Sequence, residues 1–103
     1  MGPGLLESVY ETCLFHELSS RGIQCTRQVP VNIQYGELVI EAGLRIDLFV
    51  EDSIVVELKA VEEVKPLFEA QLLTYLKLSQ KRLGFLINFN TSLLKQGLKR
   101  MVL

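Results

Sequence analysis

Three consecutive β-branched residues, Ile54-Val55-Val56, followed at once by Glu57-Leu58-Lys59, constrain this chain more than any other segment. Side chains alternate across a strand, so an unbroken apolar run needs cover on both faces. Ile54 to Ala60 is therefore expected as a central strand with helices on each side. The charges at its end are the anomaly, because a carboxylate in a central strand is costly unless it is paired or bound to a metal. By alternation Glu57 and Lys59 share one face and Leu58 takes the other.

The rest of the chain supplies the cover. From Leu5 to Arg21, the residues Leu6, Val9, Tyr10, Cys13, Leu14 and Leu18 recur every three or four positions, which predicts a helix opened by Pro3-Gly4 and stopped by Gly22. Gln28 to Tyr35 alternates strictly, with Val29, Val31, Ile33 and Tyr35 on one side, and Pro30 points to a sheet edge. Gly36-Glu37 turns into a second strand, Leu38 to Val50, irregular near Gly43, and Glu51-Asp52-Ser53 turns into the third. Glu63 to Ser79 predicts a second helix with Pro66 in its first turn and Leu67, Ala70, Leu73, Tyr75 and Leu76 available for burial. Leu83 to Phe89 is a further strand, and Leu93 to Leu103 is a short basic amphipathic stretch that can end in a final strand. This order predicts an α/β or α+β domain built on one mixed sheet.

With 103 residues, 49% of them hydrophobic and 22% charged, the chain is one folded domain and not a disordered one. Cys13 and Cys25 form neither a CxxC nor a cysteine-histidine cluster, which argues against zinc and against a disulfide framework and points to a reducing compartment. The lone histidine, His16, has no catalytic motif around it. No apolar stretch approaches the roughly 18 residues needed to span a bilayer, and no signal peptide opens the chain. A soluble, cytoplasmic protein without a membrane partner is expected. The net charge of −1 is a cancellation: residues 1–69 carry 12 acidic and 5 basic side chains, residues 70–103 carry 6 basic and none acidic. Such asymmetry hints at a polyanion partner, with the acid-free stretch after Glu69 as its phosphate-facing surface.

Asp47 is a second carboxylate in an apolar strand, Leu44-Arg45-Ile46-Asp47-Leu48-Phe49-Val50. Whether it meets Glu57 depends on the turn between the strands. A two-residue loop would set Asp47 opposite Leu58, whereas a three-residue loop, Glu51 to Ser53, sets it opposite Glu57. Two carboxylates on one face, with strand carbonyl oxygens, suit a hard cation such as Mg²⁺ or Mn²⁺. A neighbouring lysine would favour their ionised forms, orient water and offset developing phosphate charge. A buried salt bridge from Lys59 to Asp47 or Glu57, without catalysis, accounts for the pattern equally well.

Gly4-Leu5-Leu6-Glu7-Ser8-Val9-Tyr10 resembles the signature of the GxxExxY proteins, and Asp47 followed by Glu57-Leu58-Lys59 resembles the motif of the PD-(D/E)xK nuclease superfamily. Gln71-Leu72-Leu73-Thr74-Tyr75 is similar to the QxxxY helix motif of its RecB-like branch. The resemblance covers nearly the whole chain and implies a restriction-endonuclease-like αβββαβ core, a mixed four- to five-stranded sheet flanked by helices. It implies Asp47 and Glu57 as principal metal ligands, Glu7 reaching the metal directly or through water, and Tyr10 packing beside Glu7. It also implies Lys59 as the water-orienting or charge-stabilising group, and Gln71 and Tyr75 as residues that position nucleic acid or brace the lysine. Members of the family usually begin with a further helical stretch, and only Met1-Gly2-Pro3 precedes Gly4 here. The expectation is a single domain over 1–103 that lacks an N-terminal helix and leaves apolar surface open to self-association, as in a homo-oligomer.

The function implied is metal-dependent hydrolysis of phosphodiester bonds in nucleic acid, DNA above all, with Mg²⁺ or Mn²⁺. The alternative is a non-catalytic nucleic-acid-binding or protein-interaction module on the same fold. In a binding module Lys77, Lys81, Arg82, Lys95, Lys99 and Arg100 would contact phosphates and affinity would fall steeply with salt. Phe89 and Tyr75, the aromatic residues near this basic third, read as core more readily than as stacking platforms.

Overall fold

Helix α1 (Pro3–Ser20) is followed by strands β1 (Cys25–Tyr35), β2 (Leu38–Val50) and β3 (Ile54–Lys59), helix α2 (Pro66–Ser79), and strands β4 (Leu83–Asn88) and β5 (Leu98–Val102). This computed structural model describes residues 3–61, 65–89 and 97–103. The five strands form one mixed sheet in the order β1-β2-β3-β4-β5. β1, β2 and β3 run antiparallel, β3 and β4 run parallel across the α2 connection, and β5 returns antiparallel to β4. This is the αβββαβ core of a restriction-endonuclease-like fold, with β5 added beside β4. Pro30 lies on β1, an edge strand, as expected.

The local signals act as their chemistry dictates. Gly22 adopts φ +76°, the Gly22 N–H bonds the Ser19 carbonyl at 3.1 Å and the Ile23 N–H bonds that of Leu18 at 3.0 Å, so a left-handed glycine ends α1. α2 starts at Pro66 after an extended Lys65 and ends at Gln80 in the left-handed region. Its expected start at Glu63 lies outside the described residues, as do 91–96 of the basic tail. The β1–β2 register slips between Val31 and Ile33, where β2 carries two extra residues near Gly43.

Each face of the sheet has its own core. Leu48, Val50, Val56 and Leu58 are buried with Leu14, Phe15 and Leu18 of α1 packed against them. Ile46, Val55 and Leu86 are buried with Leu72 and Leu76 of α2. α2 comes close at Gly84, where an added Cβ would lie 3.1 Å from both the Val55 carbonyl oxygen and Leu72. β3 is thus covered on both faces, as its consecutive apolar run demands.

The helix faces match the expected ones at Leu14, Leu18, Leu73, Tyr75 and Leu76 and differ at other positions. Leu67 is 62% exposed and Ala70 is also exposed, because the inward ridge of α2 runs through Phe68, Leu72 and Leu76. On α1, Leu6 and Val9 are 47% and 51% exposed and Cys13 is exposed, while Glu11 is only 6% exposed. The inward stripe of α1 continues from Leu18, Leu14 and Phe15 into Glu11 and Glu7, so its polar end lies beside the carboxylates of the sheet.

Candidate active site

The turn between β2 and β3 has three residues, and the ladder pairs Leu48 with Val56, Phe49 with Val55 and Val50 with Ile54. Glu51 and Asp52 take φ of +53° and +52° in that turn, and the Ser53 N–H closes it on the Val50 carbonyl at 3.0 Å. One further step in this register sets Asp47 opposite Glu57, the alternative that the odd loop length requires. Paired rungs stop there, and the Leu58 backbone N–H donates to Asp47 Oδ2 at 2.9 Å. Ile46 and Leu48, two apart on one strand, belong to different cores, so the strand rotates about Asp47.

Asp47, Glu7, Ser8, Glu11, Arg27, Gln28 and Leu58 line a pocket of about 340 Å³. Arg27 holds Glu11, with Nε and Nη2 donating to Oε2 at 3.1 and 2.9 Å, and Nη2 also reaches Thr12 Oγ1 at 2.8 Å. Gln28 Nε2 donates to Glu11 Oε1 and lies 3.5 Å from Asp47 Oδ1. Sequence reasoning missed Glu11, Arg27 and Gln28. Glu11 had one usable signal: it stands one helical turn after Glu7, on the same face.

Glu57 is buried in β3, and its Oε1 has no hydrogen-bond partner among the described residues. Burial raises its carboxyl to about 8, the negative Asp47 adds to the rise, and the Asp47 backbone N–H and the Lys59 charge oppose it. Asp47 is also raised, first by burial, against which the Leu58 N–H acts, and then by the charge of Glu11. Glu7 raises both carboxyls as the weakest contributor. Four acids thus converge on one end of the sheet.

Lys59 makes no ion pair among the described residues, so the buried salt bridge considered as the bland alternative is not formed. Its Nζ rests 4.8 Å from the centre of the Phe68 ring on α2. The strand end is pinned by Asn88, whose side chain bonds the Val61 N–H and carbonyl at 3.0 and 2.9 Å, while the Phe89 N–H bonds the Lys59 carbonyl at 2.8 Å. Tyr75 is half-buried, and its hydroxyl is raised by burial and then by the charges of Glu57 and Asp47. Gln71, one turn earlier, is exposed. Tyr10, expected beside Glu7, stacks on Phe89 with centroids 4.3 Å apart and planes 4° from parallel.

Of the basic C-terminal third, Lys81 and Arg82 lie away from the carboxylates, and Lys95 is outside the described residues. Lys81 and Arg82 precede Leu83, which pairs with Ile54, whereas Lys59 pairs with Asn88 at the opposite end of the same two strands. Five residue steps along the strand separate these ends by about 16 Å. Lys81 packs over Phe49, and Lys99 is engaged with Glu69 at 2.7 Å. Lys81 and Arg82 therefore do not wall the carboxylate pocket, whereas Lys99 pairs with Leu86, which is itself the partner of Glu57.

A protein-family model described as the PD-(D/E)XK nuclease superfamily matches residues 1–101. The chain belongs to this superfamily. No curated protein and no solved structure matches it. The superfamily makes nucleic acid the substrate class, and its nucleases generally use divalent metal ions. Among the described residues no three Asp, Glu, His or Cys side chains are arranged as a metal-binding group. The adjacent pair Asp47 and Glu57 nevertheless fits a hard divalent ion: both offer oxygen, and Glu57 Oε1 is buried with no partner among the described residues. No helix of the described residues is long and apolar enough to cross a membrane.

Proposed function

We propose that this PD-(D/E)XK chain is a divalent-metal-dependent nuclease that hydrolyses phosphodiester bonds of DNA, and that it belongs to the GxxExxY, RecB-like branch of the superfamily. The observation that carries this reading is the Glu57 carboxyl, buried beside Asp47, held up to about 8 and without a partner at Oε1 among the described residues. A buried acid in that state is costly to the fold, and a cation would return both carboxyls to their ionised forms. Asp47 and Glu57 would hold Mg²⁺ or Mn²⁺, and Glu7 would reach it directly or through water from α1. When bound, the cation supplies Lewis-acid stabilisation of phosphate charge and makes water a better nucleophile.

The chain's own groups do the rest. Lys59, parked over Phe68 and not locked to a carboxylate, is free to swing its ammonium toward an entering phosphate, orient the attacking water and offset charge that develops on the phosphoryl oxygens. Gln71, exposed on α2, would bind the nucleic-acid backbone. Tyr75 would brace Lys59 from the same helix face.

Cleavage of single- and double-stranded DNA and RNA with and without Mn²⁺ tests the reading. We expect cation-dependent cleavage of DNA, abolished in Asp47→Asn and reduced about 100-fold or more in Lys59→Ala. Unchanged activity in both variants would refute the site. The position of Lys81 and Arg82, at the far end of β3 and β4 from Lys59, favours one second reading, a binding module that grips phosphates away from the pocket. Salt-sensitive DNA binding that survives Asp47→Asn, without cleavage by the wild type, would support it.

A further inference from the structure

Gln28 is the one residue of β1 with positive φ, at +50°, in the middle of a strand whose register is unbroken around it. Arg27 pairs with Leu48 and Val29 with Ile46, which sets Gln28 directly across from Asp47. Glutamine has no preference for the left-handed region, so some contact must hold it there. The contact is on the side chain: its Nε2 donates to Glu11 Oε1 and approaches Asp47 Oδ1 at 3.5 Å. Glu11 is itself buried and clamped by two bonds from Arg27.

We infer that Gln28 is a positioning residue for Asp47, a strained strand position that presents an amide N–H₂ to two carboxylates at once. The two oxygens of Asp47 then have different neighbours. Oδ2 takes the Leu58 backbone N–H at 2.9 Å, and Oδ1 faces the Gln28 amide. With one oxygen bonded to the neighbouring strand and the other steered by an anchored amide, the carboxylate is held in one rotamer. The amide also places positive dipole ends between Glu11 and Asp47, so two acids can stand close without direct repulsion. The role in metal binding rests on the nuclease reading above, since residues that orient a ligand usually matter nearly as much as the ligand. The steering of Asp47 does not depend on that reading.

Gln28→Gly separates side chain from backbone. Glycine accepts φ of +50° without strain, so the fold is retained while the amide is lost. Gln28→Ala removes the amide and keeps the strain. In the metal-free full chain, the Leu58 amide signal in a ¹H–¹⁵N spectrum should shift in both variants, because its acceptor is freed to rotate. With Mn²⁺ alone as probe, affinity should fall about tenfold or more in both, while the melting temperature of Gln28→Gly stays above that of Gln28→Ala, which keeps the strain. A Leu58 amide signal at the wild-type position in both variants overturns the inference, whatever the metal does. A shifted Leu58 amide with Mn²⁺ affinity unchanged, or with no Mn²⁺ binding by the wild type, confines Gln28 to orienting Asp47; in the second case the metal reading itself fails.

Discussion

Asp47 Oδ2 accepts the Leu58 backbone N–H at 2.9 Å at the point where the paired rungs of β2 and β3 end. A side chain thus does what a strand carbonyl does elsewhere in the ladder. The substitution has two effects at once: it satisfies a buried donor where the strands part, and it anchors a carboxylate beside Glu57.

The metal-free protein should lose stability as pH rises. Glu57 has a folded value near 8 against an ordinary 4.5, so the folded state binds more protons than the unfolded state between these limits. Its contribution is fully present below pH 4.5, declines above it and is lost once pH passes 8. Each pH unit in the window costs about 1.4 kcal/mol, so the loss from pH 4.5 to 6 is about 2 kcal/mol. Urea unfolding across this range should show the slope in the wild type and a much flatter profile in Glu57→Gln.

Cation binding should release protons. A divalent ion on Asp47 and Glu57 competes with the proton that Glu57 keeps at neutral pH, so apparent Mn²⁺ affinity should rise by up to tenfold per pH unit and level off above pH 8. Titration calorimetry at pH 6.5 in buffers of different ionisation enthalpy should return close to one proton released per ion. A count of zero would mean that Glu57 is not a ligand.

Removal of Glu11 should be more damaging than its place in an exposed-looking helix implies. Glu11→Ala strips Arg27 and Gln28 of their shared acceptor, and a half-buried guanidinium left so costs about 1–3 kcal/mol. Glu11→Gln retains an acceptor oxygen and should recover part of the loss. Denaturant midpoints of the two variants, set against Arg27→Ala, measure this.

Gly84→Ala should destabilise without touching the carboxylates. The new methyl meets the Val55 carbonyl and both Leu72 and Leu76 at 3.1–3.2 Å, so α2 must retreat from the sheet at a cost of about 1–3 kcal/mol. Thermal unfolding should show the loss while Mn²⁺ affinity is retained.

Much of this architecture is legible in the chain because its signals are local and physical. The two-sided burial of β3 follows from Ile54-Val55-Val56, the edge position of β1 from Pro30, the end of α1 from Gly22, and the meeting of Asp47 with Glu57 from an odd turn. Other features depend on tertiary relations. Glu11 looks like a break in the apolar face of α1, and only the pocket beside it explains a buried acid there. Nothing in the letter Gln at position 28 announces a left-handed backbone. The inward ridge of α2, Phe68, Leu72, Leu73 and Leu76, is one of several apolar stripes the helix offers, and its close approach at Gly84 is a tertiary relation. Nor does the run of basic residues announce its placement: β4 begins at the end of β3 farthest from Lys59, so Lys81 and Arg82 lie away from Asp47 and Glu57.

The rotation of β2 at Asp47, which puts Ile46 in one core and Leu48 in the other, joins two otherwise separate packing problems. A volume change beneath either helix is passed to the same peptide, and hence to the same carboxylate. The two layers of this domain cannot drift independently in evolution, and compensating substitutions for a change under α1 should be sought under α2.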